Sequence, residues 1–294
     1  MATIQKSTLF PRKLESELFS LVKGKSSLAR LAGAEPLPFV GKDIFTFNFS
    51  NKLSIVGESA NKPAGDGTVV PVSMVTVKVE YQERITDEFL YASEEEQLDI
   101  LQAFNEGFAK KLAEGLDIMA MHGLNPADST ASAIIGTNHF DSKAASTVTY
   151  AAATADANVN DAITALEGLG YMANGIAMSP AMRGAIAALT TTNGWKYPDF
   201  NFGAVPANMG SMVLDVNPTV AVIATGGKAD YAIVGDFECF RWGIAKEIPM
   251  KVIEYGDPDG QGDLQRKNEI VIRCEAYIGW AIMDGNAFAR VKAS

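Results

Sequence analysis

SEEEQLDILQAFNEGFAKKLAEGLDIMAMH, residues 93–122, is the stretch on which the fold turns. Ser93 and Glu96 have the spacing of a capping box, in which hydroxyl and carboxylate each satisfy a backbone N–H left open at a helix start. Leu98, Leu101, Phe104, Phe108, Leu112, Leu116 and Met119 then recur at intervals of three and four, the apolar stripe of an amphipathic helix. Gly123 and Pro126 stop it. From Glu94 to His122 such a helix is about 42 Å long, which is long for a globular domain and suits a structural spine. The acidic run Glu94-Glu95-Glu96 complements the helix dipole and requires no partner.

Upstream lies a long hairpin. Phe45, Phe47 and Phe49 alternate with Thr46 and Asn48, and the return limb alternates Val75, Val77, Val79 and Tyr81 with Thr76, Lys78 and Glu80. Between the limbs, Gly57-Glu58-Ser59-Ala60-Asn61-Lys62-Pro63-Ala64-Gly65-Asp66-Gly67 is small, polar and rich in breakers. A two-stranded hairpin cannot hold a core of its own, so it either projects or is packed upon. Earlier still, Pro11 opens an amphipathic turn with Leu14, Leu18, Leu21 and Val22, and Leu28 and Leu31 form a second short apolar group. Gly33, Pro36, Pro38 and Gly41 then break regular structure, the pattern of an arm leaving a body.

Downstream the chain mixes helices and strands. Asp156 or Asn158 can cap a helix carrying Val159, Ile163, Leu166 and Leu169. Gly175-Ile176-Ala177-Met178 reads as a buried strand, with Ser179 as cap and Pro180 as first turn of a helix reaching Leu189. Strands are expected around 211–216, 220–224, 231–234 and 250–255. Ile270, Ile272 and Cys274 share a face, followed by a second strand over 277–283 and a last one over 287–291. The class is α+β, with no solenoid repeat and no regular βαβ series.

The chemistry-bearing residues are sparse. The chain has 294 residues, a net charge of −10, two histidines and two cysteines. An acidic chain is poorly suited to gripping phosphates, although an acidic wall can enclose nucleic acid and let it slide. Cys239 and Cys274 lack metal-ligand spacing and read as free buried thiols, with a single bridge as the alternative. His122 and His139 have no second ligand nearby in sequence and read as surface or helix-end residues. Thr225-Gly226-Gly227-Lys228-Ala229 lacks the spacing and the hydroxyl of a phosphate loop and reads as a tight turn. Asp257-Pro258-Asp259-Gly260-Gln261-Gly262-Asp263 offers carboxylates to a calcium ion, but the proline breaks the ligand spacing and the closing glutamate is missing, so a solvated loop is expected. No cofactor or metal is expected. Residues 1–9 do not form a signal peptide, and no apolar run has the length of a membrane span.

Taken in order, these segments resemble the major capsid proteins of tailed bacteriophages with the Hong Kong 97 fold. Glu58 to Pro63 looks like the family's Glu-x-x-x-Lys-Pro hairpin tip. Glu83-Arg84-Ile85-Thr86-Asp87-Glu88-Phe89-Leu90 resembles the lead-in to the spine. Ala177-Met178-Ser179-Pro180-Ala181 resembles the strand-to-helix segment, and Ile233-Val234-Gly235-Asp236-Phe237 the stretch before an edge element. Arg273-Cys274-Glu275-Ala276-Tyr277-Ile278-Gly279-Trp280-Ala281, with Asn286-Ala287-Phe288-Ala289, is similar to the closing segment.

The resemblance implies an N-terminal arm over 1–40, an extended loop over 41–82 and a peripheral domain with the spine helix over 83–130. An axial domain over 131–265 follows, and C-terminal strands over 266–294 return to the peripheral domain. It implies a non-enzymatic subunit that assembles with itself into hexamers and pentamers around double-stranded DNA, with a portal protein as partner and scaffold and decoration proteins as possible ones. The place is the virion, after assembly in the bacterial cytoplasm, with no membrane involved. Many members begin with a cleaved scaffolding segment. This sequence starts at the arm with Met1, which favours a separate scaffold or none over a processed form.

Some members lock their shells with isopeptide bonds, and Lys62, Asn268 and Glu275 stand at the places of the lysine, the asparagine and the assisting glutamate. In members that do not cross-link, the lysine of the same tip makes salt bridges between subunits, which implies an intersubunit contact through Glu58, Lys62 and Pro63. An encapsulin-like nanocompartment shell and an α+β enzyme are the competing readings. The Lys-Pro tip disfavours the first, and the lack of a paired nucleophile and base disfavours the second.

Overall fold

The computed structural model describes residues 25–49, 53–58, 60–65, 67–91, 94–224 and 226–294. The arm stretch from Pro11 to Val22 and the capping-box side chains of Ser93 and Glu96 lie outside what is described.

The long helix spans Glu94–His122 (α2; α1 is the short Ser27–Leu31). Its stripe is buried at Leu101, Phe108, Leu112, Leu116 and Met119, whereas Phe104 is only partly covered. The strands facing it belong to a four-stranded antiparallel sheet: β1 (Lys42–Phe49), β2 (Gly67–Thr86), β10 (Phe240–Ile253) and β11 (Glu269–Ile282), in the order β1-β2-β11-β10. Alternate residues of β11 (Ile270, Ile272, Cys274, Ala276, Ile278, Trp280) point into the core that α2 shares.

Two expectations for this sheet are corrected. The ends expected as separate strands, one over 270–274 and one over 277–283, are a single strand, because β11 pairs without interruption with β2 from Glu269↔Thr86 to Trp280↔Val75. The strand expected over 250–255 begins at Phe240. Register shifts between Ile244 and Lys246 and between Ile248 and Lys251 disrupt the alternation that would have revealed it.

The other face of the sheet is crossed by residues 33–38, held by the Glu35 N–H donating to the Trp242 carbonyl at 2.8 Å. Gly243 and Gly279 are cross-strand partners beneath this segment. A Cβ on Gly279 would sit 2.6 Å from Leu37 Cδ2 and 2.9 Å from the Val75 carbonyl oxygen, so the notch exists only because no side chain stands there.

A second, six-stranded mixed sheet carries the middle of the chain. It contains β3 (Ser146–Thr149), β4 (Gly175–Met178), β7 (Asn208–Met209), β8 (Met212–Val216), β9 (Asp230–Gly235) and β12 (Phe288–Lys292), in the order β3-β12-β9-β4-β8-β7. Ile176, Met178, Ala232, Val234, Ala289 and Val291 face two helices, α4 (Ala155–Gly168) and α5 (Pro180–Ala188). Ala177, Ile233 and Phe288 face the α2 core. The two cores are therefore the two sides of one sheet.

Ser179 caps α5 by accepting from the Met182 N–H at 3.2 Å, as the sequence implies. Asp156 and Asn158, expected as alternative caps of α4, both lie inside it. Asp156 pairs with Lys196, and Asn158 Oδ1 accepts from the Ala151 N–H at 2.8 Å. The strand expected over 220–224 is instead a 3-10 turn, Pro218–Ala221. Pro218 has no N–H to give a ladder, and the Asn217 side chain accepts from the Thr219 N–H at 3.1 Å, which starts the turn.

Leu112→Ala is expected to destabilise the subunit by about 2–5 kcal/mol in chemical unfolding, because it opens a cavity under the helix. Phe104→Ala should cost less, since its ring is already partly in solvent.

Candidate subunit contacts and the buried polar anchors

β2 is twice as long as one sheet needs. Residues 75–86 pair with β11, and residues 67–74 run on to pair with β1. This outer half is a two-stranded ribbon. Phe45 and Val69 are exposed on it, Val75 is exposed at its base, and Leu53 and Ile55 beyond it are fully exposed. The tip residues Glu58, Lys62 and Pro63 are exposed as well.

Asn268 and Glu275 lie on the body. Asn268 is exposed and left-handed (φ 52°), closing the short helix α6 (Leu264–Lys267), and its carbonyl accepts from the Asp87 N–H at 3.0 Å. Glu275 is buried, but Lys78 lies 3.2 Å from its carboxylate, a basic neighbour across the β2–β11 ladder. Seven positions along an extended strand separate Asn268 from Glu275 by about 23 Å. Lysine, asparagine and glutamate are thus not assembled within one chain.

The 257–263 loop, expected as simply solvated, is tied down. The Arg84 guanidinium donates to Asp259 (Nε at 2.7 Å), to Glu269 at 2.7 Å and to the Gly262 carbonyl at 2.9 Å, with Asp257 at 3.4 Å. The Arg84 hydrogen bonds hold the Asp259 carboxyl down to about 2. No sequence signal links residue 84 to residue 259.

Two ionisable groups were missed or misplaced by the sequence reading. Asp117, wholly buried in α2, accepts from Ser26 Oγ, from the Ser27 and Leu28 N–H groups, from Thr219 Oγ1 and from Asn217 Nδ2. It thereby roots α1 and the 217–221 turn on the spine. Burial pushes its carboxyl up to about 6, against these donors. His122, expected at the surface or a helix end, does end α2 but is buried. Its ring lies 3.1 Å from Asp141 and 3.0 Å from the Thr219 carbonyl oxygen. Asp141 stands on α3 (Phe140–Lys143). His139 is half-buried, with its ring over Gly123.

Both cysteines are free, as expected. Burial raises the Cys239 thiol to about 11 and the Cys274 thiol to about 12. The Gly227 N–H donates to the Ala224 carbonyl at 2.9 Å. A groove of about 710 Å³ lies between α2, β2 and residues 125–135, lined by Val79, Tyr81, Phe108, Leu112 and Pro126 among others. Among the described residues, no helix is long and apolar enough to cross a membrane.

A compact α+β body that sends an apolar ribbon away from itself is the form of a shell-building subunit. The model of the phage capsid family matches residues 7–293, and the chain belongs to that family. A solved structure from Mycobacterium phage Ogopogo is 33% identical, with a TM-score of 0.79 and 92% of each chain covered. One from Gordonia phage Cozz is 26% identical, with a TM-score of 0.76, covering 92% of this chain and 87% of that one. A structure described as the capsid of an empty GTA particle shares the fold at 17% identity and a TM-score of 0.65, over 92% of this chain and 90% of that one. No curated protein sequence matches significantly. The fold is of the Hong Kong 97 type, and the chain is a major capsid protein, a structural component of the virion shell.

Arg84→Ala should raise amide exchange and proteolysis across 254–263 while leaving the sheet intact. Asp259 has a depressed folded-state pKa, so its contribution is present above the ordinary carboxylate range, about 3.9. It declines as pH falls below about 3.9 and is gone below about 2. Loop protection should therefore hold at mildly acid pH and fall away progressively across that interval.

Asp117→Asn should lower stability by about 1–3 kcal/mol, because an amide NH₂ would face buried donors. It should also expose the chain near Lys25 to protease.

Proposed function

We propose that this subunit builds the icosahedral head of a tailed phage by contacts through its hairpin, closing around packaged double-stranded DNA. The observation that carries the assembly reading is the ribbon. Phe45, Leu53, Ile55, Val69 and Val75 remain exposed in one copy, far more apolar surface than a lone hairpin can hold in water. A neighbouring copy is the covering surface that a shell supplies. The net charge of −10 suits an inner wall that encloses DNA without adhering to it. Hexameric and pentameric rings, a portal at one vertex, assembly in the bacterial cytoplasm and service by scaffold or decoration proteins complete this reading.

At the tip, Glu58, Lys62 and Pro63 make a non-covalent intersubunit contact. Lys62 could form an amide with Asn268 of another copy, with ammonia leaving and Glu275 taking the lysine proton. The Glu275 carboxylate, however, already serves Lys78. The salt-bridging form of the tip fits this pairing better than the cross-linking one.

Deleting residues 54–68 is expected to leave a folded subunit that forms no regular shells in negative-stain images, and normal shells from this deletion would overturn the hairpin's role. Mature particles boiled in detergent should run as a single monomer band. A ladder of oligomers that disappears in Lys62→Ala would instead establish the covalent lock.

A further inference from the structure

The end of α2 meets the six-stranded sheet through a buried charge cluster whose composition has a consequence for protons. His122 Nδ1 lies 3.1 Å from Asp141 Oδ2, and Nε2 lies 3.0 Å from the Thr219 carbonyl oxygen. A carbonyl oxygen only accepts. Asp141 also only accepts, because its other oxygen is 2.9 Å from the Arg290 guanidinium and the carboxylate is ionised. Both ring nitrogens must then donate, which only the imidazolium does. Either neutral tautomer would set a nitrogen lone pair against an oxygen lone pair in a side chain that is 2% exposed.

We propose that His122 is held as an imidazolium in the folded subunit and forms a proton-dependent latch, whose deprotonation frees the 217–221 turn from the end of the spine helix.

The surroundings agree in charge. Asp230 on β9 is bound through both oxygens by Arg290 on β12, each at 3.0 Å. Asp141, Asp230, Arg290 and a protonated His122 sum to zero, whereas a neutral His122 leaves a net negative charge underground. A histidine and two carboxylates within 4.8 Å also have the composition of a cation site, but the guanidinium already stands between the carboxylates.

His139, the remaining titratable group at this junction from the α3 side, is driven towards its neutral form by burial and adds no charge near neutrality. Asp117, on the same helix, grips Thr219 from its hydroxyl side at 3.0 Å, so the turn is held at two points by α2.

Burial alone would lower the His122 pKa. The hydrogen bond and charge of Asp141, with Asp230 and the Thr219 carbonyl, outweigh it and raise it above 6.5. A raised folded-state value means that the latch contributes fully below about 6.5 and is lost as pH rises through the folded value. Burial also raises Asp230 and Asp117, each to about 6, so they titrate at the acid edge of this window, and the histidine ring shifts, rather than exchange alone, identify the group that switches.

The chain has two histidines, so isotope labelling of histidine in the full-length protein gives two ring systems, and His139→Asn assigns them. The expected result is that at about pH 6 both nitrogens of His122 carry imidazolium shifts, with a midpoint above 6.5, while His139 titrates below 6.5. Amide exchange over 219–222, corrected for the intrinsic base-catalysed rate, should rise by up to about tenfold per pH unit between the reference and the folded pKa, then level off. Asp117→Asn should keep that pH profile, and His122→Asn should flatten it. A neutral His122 tautomer in the wild-type chain near pH 6, a midpoint at or below 6.5, or exchange over 219–222 without pH dependence would overturn the latch. The wild-type spectrum decides the matter even if His122→Asn fails to fold.

Discussion

From Gly115 to His122 every residue of the long helix is buried, and two of those residues are ionisable. A helix covered on all sides cannot send a carboxylate or an imidazole to water, so the protein must bring partners to them. Asp117 draws in the two serines and backbone of α1 together with Asn217 and Thr219. His122 draws in α3 and the other side of the same turn, and Asp141 connects it to Arg290 and the sheet. The positions of the arm's root, the 217–221 turn and the β9–β12 pair thus follow from satisfying two buried groups five residues apart. Apolar packing around Leu112, Leu116 and Met119 supplies the bulk of the driving force. The polar anchors select one arrangement of the pieces that pack there.

The opposite end of the subunit follows a different logic. β2 runs from the body, where residues 75–86 pair with β11, into the ribbon, where 67–74 pair with β1, so the ribbon's base is continuous with the sheet while its outer face is left unshielded. A protein that stayed monomeric would gain nothing from such a strand. On the assembly proposed above, it carries apolar surface to a place where another copy covers it. Arg84 stands near the inner end of β2 and clamps the acidic 257–263 loop. One strand therefore sets the geometry of two separate projections.

Local patterns in the sequence were enough for some of this. The bounds of the long helix, the first hairpin limb, and the strand, cap and proline from Gly175 to Pro180 all follow from apolar period and capping chemistry, which act over a few residues and need no knowledge of the rest of the chain. The return limb is 67–74 rather than the expected 75–81, whose alternation serves the pairing with β11 instead. The exposed tip of Glu58, Lys62 and Pro63 follows from breakers that cannot build a core. Tertiary structure alone decided the rest. Ser26 and Asp117 are 91 residues apart, and Arg84 and Asp259 are 175 apart. A lone aspartate or histidine on a helix reads as solvated until something buries it. β10 hid behind its bulges, and the 217–221 turn passed for a strand because Val220 is apolar for a reason set by packing against the helix. Periodicity is written in neighbouring residues, whereas the partner of a buried charge is chosen only when distant segments meet, and at that meeting burial makes an unpartnered charge too costly to keep.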